Sequence, residues 1–145
     1  MKSNYVYNTA AHWLGVEEWS GKDSNNPHIL EFFREAGHSW VSDDETPWCA
    51  AFANAVLKDC GIDGTGKLNA RSFAQWGNAT RLERANLGDI VVFWRESPDS
   101  WKGHVAFFAG LDHNGDVLAL GGNQGNAVTV QSYPRERILT VRRSM

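Results

Sequence analysis

The sequence lacks the marks of several protein classes. Lys and Arg number 14 against 17 Asp and Glu, for a formal net charge of −3, so no basic stripe points to a dedicated nucleic-acid partner. No apolar run approaches the ~20 residues that a membrane span needs. The opening residues, MKSNYVYNTAAHW, contain no apolar core of a Sec-type signal peptide. Synthesis in the cytoplasm is therefore expected, with any action outside the cell depending on another carrier. There is no internal repeat and no low-complexity linker. With 42% hydrophobic and 21% charged residues the chain is not a disordered one. Its 145 residues suit a single domain spanning 1–145, with no room for a separate binding module.

What is present is unevenly placed. Seven Trp is a high count, and such rings serve cores and binding grooves alike. Residues 1–70 carry a charge of −5 and residues 71–145 one of +2. Four of the later cations, Arg135, Arg137, Arg142 and Arg143, lie in the C-terminal stretch. They read either as a solvated edge strand or as a weak contact to an anionic surface.

Periodicity changes near residue 80, from helical to extended. Four helices are expected before it. The first is Tyr5 to Leu14. The second has Asn26 as cap, Pro27 at the first position and Gly37 as stop. The third starts from Thr46 and Pro47 and runs to Gly61, and the fourth is a short one from Ala70 to Trp76. Strands follow at Asp89–Trp94, Gly103–Leu111, Val117–Leu120, Val128–Gln131 and Ile138–Arg142. Asn114-Gly115 reads as a two-residue hairpin turn. Helices first and about five antiparallel strands after define an α+β fold.

Cys49 and Cys60 share the third helix, eleven residues apart, which at ~1.5 Å per residue separates them by roughly 16 Å. That exceeds the ~7 Å limit for a disulfide, so both thiols should be free. Cys60 reads as a small core residue. Cys49 sits in the first helical turn, where unpaired N–H groups and the helix dipole stabilise a thiolate. It is either a packed first-turn residue or a nucleophile.

A nucleophilic Cys needs a base and an orienter. Of five His, His104 differs by opening an apolar strand. With a two-residue turn, His113 pairs with Asp116, Ala106 with Asn123 and His104 with Gly125. Asn123 then shares the face of His104, and Gln124 points to the other face unless a bulge among Gly121, Gly122 and Gly125 shifts the register. An Asn carbonyl can accept the imidazole N–H, which favours Asn123. Pattern alone does not bring Cys49 to His104.

The segments DETPWCAAFANAVL, GDIVVFW, GHVAFFAG and GGNQGN together resemble the NlpC- and CHAP-type papain-like peptidoglycan hydrolases, from about Asp44 to the end of the chain. The resemblance implies a papain-like fold in which the helix bearing the cysteine abuts an antiparallel sheet. It implies Cys49 as nucleophile, His104 as general base and acid, and Asn123 as orienter, with the Cys49 N–H as an oxyanion donor. CHAP domains often carry a Glu two residues before the Asn. Here that position is Gly121, which leaves Gln124 or Glu45 as a possible auxiliary. Trp48, Trp76 and Trp101 are candidates for a substrate groove, as is Trp94, for which core packing serves as well. No cofactor and no metal are implied.

The substrate implied is the stem peptide of peptidoglycan, cut by a monomeric Cys-His-Asn acyl-transfer enzyme, either an endopeptidase or an N-acetylmuramoyl-L-alanine amidase. A phage endolysin released by a partner pore suits a lone catalytic domain, and an antibacterial toxin delivered by a secretion machine is the alternative. Rival readings are a non-catalytic module that binds wall or partner, and an acyl transfer on a protein substrate. A metal site from His104, His113 and Asp112 fails because the hairpin separates its members.

Overall fold

In the computed structural model, residues 2–19, 25–42 and 47–145 are described. The expected change of periodicity separates two layers. The helical layer holds α1 (Lys2–Ala11), α2 (Pro27–Glu35) and α3 (Cys49–Asp59), followed by a 3₁₀ segment (Ala70–Gln75). The sheet is formed by β1 (Asn78–Thr80), β2 (Ile90–Trp94), β3 (Gly103–Leu111), β4 (Val117–Gly121), β5 (Thr129–Tyr133) and β6 (Ile138–Arg143). It is antiparallel, in the order β1-β6-β2-β3-β4-β5. The α+β papain-like architecture is thus present, with one strand more than expected.

The extra strand, β1, is Asn-Ala-Thr and has no apolar alternation that would announce it. It exists because β6 supplies an edge: Asn78 pairs with Arg143 and Thr80 with Val141. Gly77 permits the approach, since a Cβ there would run into the Arg143 carbonyl. Long-range pairing also trims α1. It stops at Ala11 because Gly15 N–H donates to Val128 O (3.0 Å) and Val128 N–H to Val16 O (2.8 Å), drawing the chain away. The same bridge occupies Val128 and delays β5 to Thr129. At α2 the expectation holds: the Asn26 side chain accepts from His28 N–H at 2.9 Å, Pro27 opens the helix, and Gly37 follows it at φ +93°.

The core lies between α3 and one face of the sheet. All residues of α3 from Cys49 to Leu57 are buried, so this is an internal helix rather than an amphipathic one. Its alanines let β3 come close, and Phe52 meets Phe107 edge-on at 6.1 Å. Full burial of such a ring contributes about 1.5–3 kcal/mol. The opposite face carries a smaller cluster around Val91, Phe93, Ala106 and Phe108. Glycine-aspartate before β2 serves the sheet: the fully buried Asp89 carboxylate receives Arg143 Nε (2.9 Å) and Nη2 (2.7 Å) and the Asn86 N–H.

The hairpin between β3 and β4 departs from the expected two-residue turn. Asp112 N–H donates to Asp116 O at 2.9 Å and closes a three-residue loop with Gly115 at φ +82°. The Asp112 carboxylate accepts the N–H groups of Asn114 (2.8 Å) and Asp116 (3.0 Å), favouring the wider loop. Leu111 consequently pairs with Val117, and a bulge at Ala109 shifts the register again, so that Phe107 pairs with Leu120. The expected pairing of Ala106 with Asn123 does not form.

Candidate active site

Trp48 has φ −127° and ψ 16°, outside the helical region, so α3 begins at Cys49 itself. The expected cap, Thr46, lies outside the described residues. Starting at Cys49 places its thiol at the mouth of the helix, where the first N–H groups have no partner within the helix. The Cys49 side chain is 9% exposed and meets the start of β3. Burial alone would push this thiol up. The charge and hydrogen bond of His104, with N–H bonds from Val105 and Ala50, outweigh burial and hold it below the ordinary range. Cys60, at the other end of α3, is also a free thiol, and there burial dominates and pushes it up.

His104 is the second residue of β3 and is buried. The Phe93 and Tyr133 rings lie nearly parallel to it, at centroid distances of 6.3 and 5.4 Å. Its Nε2 is 2.8 Å from Gln124 Oε1. The buried Gln124 amide is oriented without ambiguity, because its Nε2 donates to two carbonyls, Ala119 O (3.2 Å) and Thr129 O (2.8 Å). Its Oε1 can only accept, so His104 Nε2 must carry a proton. The Nδ1 atom is then the one left to bond the Cys49 thiol. Tyr133 Oη donates to the same Oε1 at 3.0 Å. Burial first, and the neighbouring Cys49 second, push the Tyr133 phenol up to about 12, so it stays a donor.

The side chain on the ring is therefore that of Gln124, and the expected contact of Asn123 with His104 is not made. Two backbone features explain the reversal. Strand β4 ends at Gly121, and Asn123 adopts φ +59°, which folds the following residue back under the strand. Gly121 provides the space: a Cβ there would sit 2.7 Å from Gln124 Oε1 and 2.9 Å from the Ala106 Cβ. With no side chain on Gly121, the Gln124 amide takes that space from three residues further on. Gly122 is equally constrained, because a Cβ would come within 2.7 Å of the Trp48 ring.

In front of the thiol lies an open cleft of about 540 Å³. Asn123 lines it, together with Pro47, Leu68 and Trp101. Of the expected groove tryptophans only Trp101 is there, 76% exposed on the rim. Trp48 is fully buried, with Nε1 donating to Glu18 Oε2 at 2.9 Å, and is a core residue. Trp76 packs on Phe73 and donates to Asp63 O, away from the cleft. Glu45 lies outside the described residues. The rim loop is pinned by Arg71, whose guanidinium donates to the carbonyls of Lys102 (2.8 Å), Pro98 (2.9 Å) and Ser97 (3.1 Å).

Sequence reasoning missed Arg95 and Arg137 as cleft residues. Arg137 was grouped with a C-terminal basic run, but the run disperses. Arg143 is engaged with Asp89, whereas Arg137 folds over the Trp94 ring (5.2 Å) and donates Nε and Nη2 to Trp94 O. No local pattern signals this, because the partner is forty-three positions away. Among the described residues no cluster of three or more His, Cys, Asp or Glu is placed to hold a metal. His113 is exposed at the hairpin, and Asp112 bonds Ser132 and the loop N–H groups.

A family model described as the CHAP domain matches residues 41–123, a span that includes Cys49, His104 and Asn123 and stops one residue short of Gln124. No curated protein sequence matches the chain. Among solved structures, NlpC1 from Trichomonas vaginalis superposes with a TM-score of 0.59 at 19% identity, covering 95% of this chain and 42% of that one. The peptidoglycan hydrolase RipB from Mycobacterium tuberculosis gives 0.59 at 18% identity, covering 98% and 64%. The NlpC/p60 domain of the peptidoglycan hydrolase SagA gives 0.58 at 20% identity, covering 97% of both chains. The chain thus spans about two fifths of NlpC1 and under two thirds of RipB, but nearly all of the SagA domain. These likenesses establish the fold.

Proposed function

Because the chain belongs to the CHAP domain family, we propose that it is a cysteine hydrolase of peptidoglycan that cuts an amide bond of the stem peptide or cross-link. The observation that carries this reading is the line from Cys49 through His104 to Gln124, set at the head of an open cleft.

The chemistry follows from the geometry. The Cys49 thiolate attacks the carbonyl carbon of the scissile amide while His104 holds the proton on Nδ1. As the tetrahedral intermediate forms, its oxygen gains negative charge, and the Cys49 N–H at the start of α3 is the donor placed for it. His104 then passes its Nδ1 proton to the departing amine, leaving a thioester on Cys49. Water attacks the thioester with the neutral ring as base, releasing the acid and restoring the thiol pair. Throughout, Gln124 Oε1 accepts from Nε2, keeping the ring in the tautomer and plane that face the sulfur.

The biological setting we favour is a phage endolysin that reaches the wall through a partner pore and lyses the host. A secreted antibacterial amidase is the second form of the same activity. The test is digestion of purified peptidoglycan by the wild type and Cys49→Ala, with products identified by mass spectrometry. Fragments released only by the wild type support the hydrolase, and their new termini name the bond. A folded wild type that releases nothing would reject it in favour of a wall- or partner-binding domain or a protein substrate.

A further inference from the structure

The catalytic cleft does not end at the thiol. A second hollow of about 260 Å³ adjoins it, floored by Phe93, Gln124 and Tyr133. Four residues line both volumes: His104, Asn123, Arg95 and Arg137. The two arginines therefore stand where the volumes meet, beside the catalytic ring. Among the described residues the other charges lining the main cleft are Lys102 and Glu96, paired at 2.8 Å (Nζ to Oε1), and Glu96 also feels the Arg95 charge. Among the described residues no carboxylate pairs with Arg95 or Arg137.

The two cations are held differently. Arg137 is pre-set: Nε and Nη2 are fixed on the Trp94 carbonyl and the guanidinium lies over the Trp94 ring, which leaves Nη1 for a ligand. Arg95 is exposed, and its guanidinium makes no hydrogen bond to a described residue. Among the described residues Arg95, Arg137 and Lys102 outnumber the one carboxylate of the cleft, Glu96, so on a chain of net charge −3 the local field is opposite in sign to the protein's own. A guanidinium with an open N–H edge is the side chain suited to hold a planar carboxylate.

We propose that Arg95 and Arg137 form a carboxylate subsite that seats a free carboxylate of the substrate peptide next to the scissile amide. The substrate identity rests on the hydrolase reading above, but the subsite itself does not. Peptides whose carboxylate has been converted to carboxamide would be poor substrates, because the amide presents an uncharged group to the two guanidinium groups.

Two measurements separate the subsite from the hydrolase reading. The first uses no substrate. In a Cys60→Ser background, Cys49 is alkylated by anionic iodoacetate and by neutral iodoacetamide. In each case the thiolate displaces iodide from carbon. The rate ratio of the two reagents cancels changes in the thiol itself. Arg95→Gln, which removes a side chain with no structural bond, should lower the ratio roughly five- to tenfold at low ionic strength, and less in high salt. Arg137→Gln should do likewise and Arg137→Lys should largely restore it. An unchanged ratio in folded Arg95→Gln and Arg137→Gln overturns the subsite.

The second compares kcat/KM on stem peptides bearing a carboxylate or a carboxamide beside the cut. The wild type should prefer the carboxylate, and each Gln variant should lose more kcat/KM on the carboxylate than on the carboxamide, which narrows that preference. Equal loss on both substrates would also overturn it. If the ratio shifts but neither peptide is cut, the hydrolase reading fails and the anion subsite stands.

Discussion

Gln124→Met is the most informative single change, because it keeps the length of a buried side chain and removes every polar atom of it. In the wild type this amide makes five bonds: to His104 Nε2 (2.8 Å), Tyr133 Oη (3.0 Å), Ala119 O (3.2 Å), Thr129 O (2.8 Å) and Thr129 Oγ1 (3.3 Å). Each contributes about 0.5–1.5 kcal/mol net, so losing the set should destabilise the fold by about 2.5–7.5 kcal/mol. The catalytic loss is separate. When His104 is an imidazolium, the bond to Gln124 is charge-assisted and contributes about 1.5–3 kcal/mol, which corresponds to roughly a 10- to 150-fold fall in kcat. Asn123→Ala breaks no bond to the ring and should cost under about fivefold in kcat, with more of its effect on KM. The assay is turnover of soluble stem peptides by folded variants, paired with the thiolate absorbance of Cys49 as a function of pH. In Gln124→Met the ring loses its anchor, and thiolate formation should move to higher pH. If Asn123→Ala reduced kcat more than Gln124→Met, or if the thiolate titration did not move, the assignment of Gln124 as the positioning residue would be refuted.

Three further outcomes are expected. Glu35 is pushed up to about 7 from 4.5 by burial first, then by the hydrogen bond its protonated carboxyl donates to Asp59 and by the Asp59 charge. The folded chain then holds a proton the unfolded chain releases between pH 4.5 and 7, so stability falls across that window as pH rises. Glu35→Gln should flatten this slope and raise stability at pH 8 by about 1–2 kcal/mol, allowing for solvent screening, as read by thermal melts at pH 4.5 and 8. Gly122→Ala should cost about 1–3 kcal/mol and slow turnover, because its Cβ would collide with Trp48 and displace the segment bearing Gln124. Arg143→Ala should cost about 3 kcal/mol in denaturant unfolding by stranding the buried Asp89 carboxylate, whereas Asp89→Asn combined with Arg143→Ala should recover part of that loss.

The sequence determined the parts of the molecule whose causes are local. Asn26-Pro27 starts α2 through its own cap, the apolar runs of β2 and β3 can only be buried strands, and an internal helix beginning near Pro47 sets Cys49 at its mouth. The positions of Cys49 at a helix start and of His104 at the opening of an apolar strand were also legible, because each has a local reason.

What followed from distant contacts was not legible. Strand β1 needs the edge of β6, α1 is cut short by Val128, and Trp48 turns inward to meet Glu18 and Phe32 rather than a substrate. The choice between Asn123 and Gln124 depended on a wider hairpin, a bulge at Ala109 and one positive φ. Side-chain direction in a strand alternates with every residue, so small backbone changes decide which neighbour meets the ring. Arg95 and Arg137 came to the cleft for the same reason: forty-two residues of chain separate them, and only the sheet order and the Trp94 carbonyl set them side by side. Local preference selected the elements and set Cys49 at the head of its helix; packing selected the groups that surround it.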